Sequence, residues 1–131
     1  MFERFTKDAR RVVEAARSEA CDAGSATIEA EHLLVALARR PHPALAGERA
    51  ASLAAAGVDW DVPARPSRAE PRFATSAKLA LERSLSAAVA RHDRRLTSDH
   101  VLLGVLEAEV GTVPRALELA GIDRRALAEA I

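Results

Sequence analysis

The sequence has one cysteine, Cys21, no tyrosine, three phenylalanines and one tryptophan in 131 residues. A single thiol excludes an internal disulfide and a cysteine-based zinc site, and it suits a reducing compartment. Net charge is absent, because 19 Lys and Arg balance 19 Asp and Glu. No overall field therefore draws nucleic acid or an anionic membrane. No apolar run approaches the roughly 20 residues of a membrane span, and the opening Met-Phe-Glu-Arg-Phe lacks a signal-peptide core. A Gly-x-x-x-x-Gly-Lys-Ser/Thr loop occurs nowhere, which excludes ATP binding of that kind. These absences point to a cytoplasmic chain with neither nucleic acid nor membrane as partner.

What is present is alanine, leucine and valine. Apolar residues make up 49% of the chain, and alanine and leucine are strong helix formers. The length is that of one domain. The class is therefore all-α. Helices are expected over 7–23 (capped by Thr6, with Ala9, Val12, Val13, Ala16 and Ala20 inward), 30–39, and 44–56. Residues 59–72 hold Pro63, Pro66, Pro71 and Trp60 and read as a linker. Beyond it, helices are expected over 76–91, with Ala77, Leu81, Leu85 and Ala88 on one face, then from Ser98 as N-cap to 109, over 113–120, and after Asp123 as N-cap.

The two halves echo each other. Ile28-Glu29-Ala30-Glu31-His32-Leu33-Leu34 returns as Leu96-Thr97-Ser98-Asp99-His100-Val101-Leu102, a spacing of 68 residues from His32 to His100. At that spacing Phe5 meets Phe73, Ala9 Ala77, Glu14 Glu82, Ser18 Ser86, Ala20 Ala88 and Leu34 Leu102, with no gap across 5–39. An internal duplication follows. Ala56-Gly57-Val58-Asp59 then matches Ala120-Gly121-Ile122-Asp123 at a spacing of 64. The first repeat thus carries four extra residues around positions 41–47, and it is expected to lack the last helix. The organisation is a shortened repeat over 1–58, a linker over 59–72 and a second repeat over 73–131.

The opening Met1-Phe2-Glu3-Arg4-Phe5-Thr6 with Ala9-Arg10-Arg11-Val12-Val13, and the two acid-histidine-apolar stretches, resemble the N-terminal domain of Clp unfoldases, most nearly actinobacterial ClpC. The resemblance covers nearly the whole chain. It implies two helical repeats with a pseudo-twofold axis that form a non-catalytic docking module, whose partners are peptides, adaptor or substrate proteins, and cyclic-peptide antibiotics; the chain is expected to be monomeric and to use no cofactor or metal. It implies a ligand groove between the repeats at Phe2, Phe73, Lys78 and Glu82. It also implies phosphoarginine contacts at Thr6 and Glu31, with Asp99 as the second-repeat acid. A carboxylate suits a guanidinium, and a hydroxyl suits a phosphate oxygen. Here Asp99 replaces the family's glutamate, and Ala74 stands where its threonine would. The expected setting is a free-standing paralogue, the alternative being the substrate-receiving end of a full AAA+ chain.

An enzyme reading, a metal-dependent hydrolase, rests on the acid-histidine stretches alone. His32 and His100 read better as hydrogen-bonded residues that fix helix starts. Ser98-Asp99-His100 is not a triad, since helical neighbours point apart. Cys21 lacks the basic neighbours of a reactive thiol. Arg91-His92-Asp93-Arg94-Arg95 contains an acid and no aromatic, as a solvated loop does.

Overall fold

The local signals set most of the helices. The computed structural model describes residues 2–39, 42–55 and 71–131. After a 3-10 turn at Phe2–Arg4, helix α1 runs Lys7–Asp22 and buries Ala9, Val12, Val13, Ala16 and Ala20. Thr6 caps it, its Oγ1 accepting from the Ala9 N–H at 3.2 Å. Strand β1 (Thr27–Ile28) leads into α2 (Ala30–Arg39), followed by a 3-10 turn at Pro43–Leu45 and α3 (Glu48–Ala55). The second repeat comprises β2 (Arg72–Phe73), α4 (Thr75–Ala90), α5 (Ser98–Leu106), α6 (Thr112–Leu119) and α7 (Arg124–Glu129). Asp123 caps α7, accepting from the Arg125 N–H at 2.9 Å. Of the expected linker, 59–70 with Trp60 lie outside the described residues, and so does the expected loss of a last helix from the first repeat.

The centre of the core is the pair α2 and α5, which pack on each other. Leu33, Leu34 and Leu37 of α2 and Val101, Leu102 and Val105 of α5 are buried. Each such side chain contributes about 1.5–3 kcal/mol by leaving water. α1 covers α2, and α4 covers α5. The halves are joined by two parallel pairings that hydrophobic periodicity does not reveal. Ile28 pairs with Phe73 in the β1–β2 ladder, and Phe5 pairs with Leu96 in an isolated bridge. These are the same pairing under the 68-residue shift. The Thr6 N–H donates to the Leu96 carbonyl and the Ala74 N–H to the Ile28 carbonyl, both at 2.9 Å. The lead-in of each repeat is thus bonded to the other repeat.

Four expectations are corrected. Thr97, not Ser98, is the N-cap of α5, because His100 takes the Thr97 N–H and makes that residue the one half inside the helix. The expected 44–56 helix splits at Gly47, whose φ of +69° interrupts helical geometry. Leu85 is 40% exposed and Ser84 is buried in its stead, since position 85 rotates past the edge of the α4 core stripe. The two pairings add strand where none was expected. The expected offset of 64 is visible in the elements themselves, because Glu48–Ala55 and Thr112–Leu119 coincide at that shift.

α4 and α5 approach most closely at Gly104. A Cβ there would stand inside contact distance of the Ala80 carbonyl oxygen and of Ser84 Oγ. At the 68-residue shift the counterpart of Gly104 is Ala36, and that of Ser84 is Ala16. Gly104→Ala is expected to lower stability by about 3 kcal/mol, because backbone must move to admit it; urea denaturation measures this.

The helix ends supply a second test. α1 closes with Ser25 N–H to Ala20 carbonyl (2.9 Å) and Gly24 N–H to Cys21 carbonyl (3.0 Å), with Gly24 at φ +70°. α4 closes the same way, with Asp93 N–H to Ala88 and His92 N–H to Val89. Here, however, His92 occupies the left-handed position, at φ +59°. His92→Gly is expected to raise stability by about 0.5–1 kcal/mol, relief of the left-handed strain exceeding the added freedom of the unfolded chain. Thermal unfolding reads the gain.

Candidate functional site

The two histidines serve the helix starts. At each, Nδ1 accepts a backbone N–H three residues back: Glu29 to His32 at 2.8 Å and Thr97 to His100 at 2.9 Å. This is one arm of a capping box, with imidazole in the place of a carboxylate or amide. An Nδ1 that accepts leaves the proton on Nε2. His100 donates it to Asp93 Oδ2 at 2.8 Å, so the acid of the Arg-rich loop fastens the second signature. Burial holds the His32 imidazole below the usual histidine range, against the opposing pull of Glu31 and Glu29. Among the described residues no group of three or more His, Cys, Asp or Glu could hold a metal.

The crossed pairings decide which acid meets which hydroxyl position. Thr6 lies beside Leu96, on the segment that leads to Asp99. Ala74 lies beside Ile28, on the segment that leads to Glu31. The structure therefore does not place Thr6 on the strand segment of Glu31 but on that of Asp99. The Glu31 side has Ala74 in the threonine position, with Thr75 as the first residue of α4. On that side Ser76 crosses the junction. Its Oγ accepts from the Ala30 N–H at 2.9 Å and donates to the Glu29 carboxylate. Among the described residues no hydrogen bond or ion pair engages the Glu31 carboxylate, which is half-buried. Asp99 is engaged: its Oδ1 lies 2.5 Å from His42 Nε2.

The proposed groove residues fall around α1, β2 and α4. Phe2 opens the first 3-10 turn, and its side chain lies outside the described residues. Phe73 is half-buried against the core. The Arg17 guanidinium sits over its ring, 5.8 Å from the centroid, a geometry with cation–π attraction. Beside Arg17 a cleft of about 370 Å³ is lined by Arg10, Val13, Glu14 and Arg17. Lys78 and Glu82 are exposed on α4 and do not line that cleft. They share their helix face with Leu85 and Val89, both exposed. Under the 68-residue shift Lys78 and Glu82 are the counterparts of Arg10 and Glu14. That signal could have located Arg10 and Glu14 from the sequence. Arg17 has no such signal, since its counterpart is Leu85.

The model of the family described as the Clp repeat (R) N-terminal domain matches residues 4–63 and again 72–131. The chain belongs to this Clp repeat family. Solved structures agree in fold. The N-terminal domain of the chaperone ClpD from Arabidopsis thaliana has a TM-score of 0.77 at 20% identity, covering 99% of this chain and 93% of that one. The Hsp104 N-terminal domain from Candida albicans has a TM-score of 0.81 at 19% identity, covering 97% and 88%. No curated protein matches the sequence. Clp N-terminal domains belong to AAA+ chaperones, where they are generally non-catalytic docking modules for substrates and adaptors. Among the described residues no helix is long and apolar enough to cross a membrane.

The capping role of His32 has a pH consequence. Its neutral form is the one the fold holds, so the unfolded chain takes up a proton first. The stability this supplies is present above the ordinary histidine value, about 6.5, and is lost as pH falls through it. His32→Gln keeps an acceptor for the Glu29 N–H and removes the titration. From about pH 7.5 to 5.5 the wild type is expected to lose stability more steeply than this variant. Parallel urea series at four pH values check it, and equal slopes would sink the assignment.

Proposed function

We propose that this Clp repeat domain is a peptide- and protein-docking module of the ClpC type. Its ligands are substrate or adaptor segments and cyclic peptides, held at the junction around Phe2, Phe73, Lys78 and Glu82. The observation that carries this reading is the half-buried Phe73 ring under Arg17, beside an open cleft with Val13 in its wall. An aromatic face, an apolar wall and convergent charges are what orient a mainly apolar ligand. A chain of this kind that stands apart from an unfoldase would compete for its substrates, or would sequester the antibiotic peptides directed at it. Calorimetric titration with a ClpC-directed cyclic peptide tests the site. Phe73→Ala is expected to weaken binding about tenfold, the loss of roughly 1.4 kcal/mol of aromatic contact. Leu119→Ala, on exposed α6 surface, is expected to change nothing. No heat with the wild type would remove the peptide reading.

A second reading is favoured by the unengaged Glu31 carboxylate. It is the recognition of phosphoarginine on tagged substrates, with Glu31 taking the guanidinium. Glu31 stands in the first turn of α2, the helix end that attracts negative charge. A titration with phosphoarginine on the same sample separates this reading from the first, since Glu31→Ala would abolish one ligand and spare the other.

A further inference from the structure

We propose that His42, on the segment lengthened in the first repeat, ties up one oxygen of the second signature acid, so that the Glu31 side is the single guanidinium-binding side of this chain. The inference rests on the reading of the signature acids as ligand groups.

The argument begins with the four extra residues. They lie ahead of α3, where the spacing between the repeats changes from 68 to 64. The segment they lengthen carries His42 and the 3-10 turn Pro43–Leu45. This segment is built in on three counts. The His42 N–H donates to the Leu37 carbonyl at 3.0 Å. Leu45 is buried in the core. The His42 Nδ1 accepts from the Ala44 N–H at 3.1 Å. That last bond places the ring proton on Nε2, aimed at Asp99 Oδ1. The His42 side chain is 4% exposed, whereas that of Asp99 is 51% exposed. The lengthened segment thus supplies a buried donor from the first repeat to an acid of the second.

Asp99 is the counterpart of Glu31 at the 68-residue shift. Recognition of a guanidinium by a carboxylate is strongest as a two-bond fork that uses both oxygens. Asp99 has one oxygen already bonded and a stem one methylene shorter. A guanidinium there would have to displace a buried imidazole whose Nε2 has no other acceptor among the described residues, which leaves a buried donor unpaired. Glu31 carries no such contact among the described residues. Behind His42 a cavity of about 310 Å³ is lined by Asp8, Arg11 and Ser98 among others. Truncating the ring frees the Asp99 oxygen that it holds.

Free phosphoarginine, titrated calorimetrically into the full chain, tests the proposal. The wild type is expected to bind one molecule and Glu31→Ala none. His42→Ala is expected to bind two, and the double variant one. Asp99→Ala, which needs no opened cavity to fold, is expected to bind one molecule as the wild type does. Two sites in the wild type, or loss of its site in Asp99→Ala, would overturn the proposal. A Glu31-dependent site that stays single in a folded His42→Ala variant overturns the proposal alone and leaves the reading of Glu31 intact. No heat with any of the five proteins overturns that reading and the proposal together.

Discussion

The crossed backbone pairing at the repeat junction is the constraint on which the rest depends. Buried N–H and C=O groups need partners, and the two short lead-in segments find theirs in the opposite repeat. Thr6 and Leu96 bond on one side, Ala74 and Ile28 on the other. The entry to the first helix of each repeat is therefore bonded to the other repeat. The pairings also bring α2 and α5 together at the centre, where Leu33, Leu34, Leu37, Val101 and Leu102 are buried. A duplication that began as two copies is held as one folding unit by bonds that each copy gives to the other.

The same crossing makes every junction site a composite. An acid from one repeat stands on the side of the threonine position of the other, so each side can diverge separately. The sides have done so. On one, Ser76 ties α4 to the start of α2 through Ala30 and Glu29. On the other, His42 of the lengthened segment reaches Asp99 at the start of α5. Both ties join the two repeats, yet they use unrelated side chains. The symmetry of the backbone is thus kept while the chemistry of its two equivalent sides separates.

The exposed surface has diverged too. Arg10 and Glu14 on α1 match Lys78 and Glu82 on α4, but one helix continues with Arg17 and the other with Leu85. Arg17 reaches across to Phe73; Leu85 is left in solvent with Val89. One face therefore presents charge over an aromatic ring and the other an apolar strip. A partner that contacts both would need both characters.

Much of the fold was legible in the residues. Thr6 and Asp123 announced helix starts, and Ala9, Val12, Val13, Ala16 and Ala20 announced a core face, because caps and apolar spacing are local signals. The 68-residue echo marked the duplication, and the capping role of His32 and His100 followed from their place before an apolar run. What only the tertiary structure decided was pairing at a distance. Two-residue strands carry no periodicity, so nothing in 27–28 or 72–73 forecasts their ladder. Thr6, Glu31 and Asp99 could be picked out in the sequence, but not that the segment of Thr6 pairs with the segment that leads to Asp99. His42 lay in a proline-flanked segment with no pattern of its own. Its contact with Asp99 exists because the chain folds back over 57 residues, and such a contact is set by packing, which local sequence does not encode.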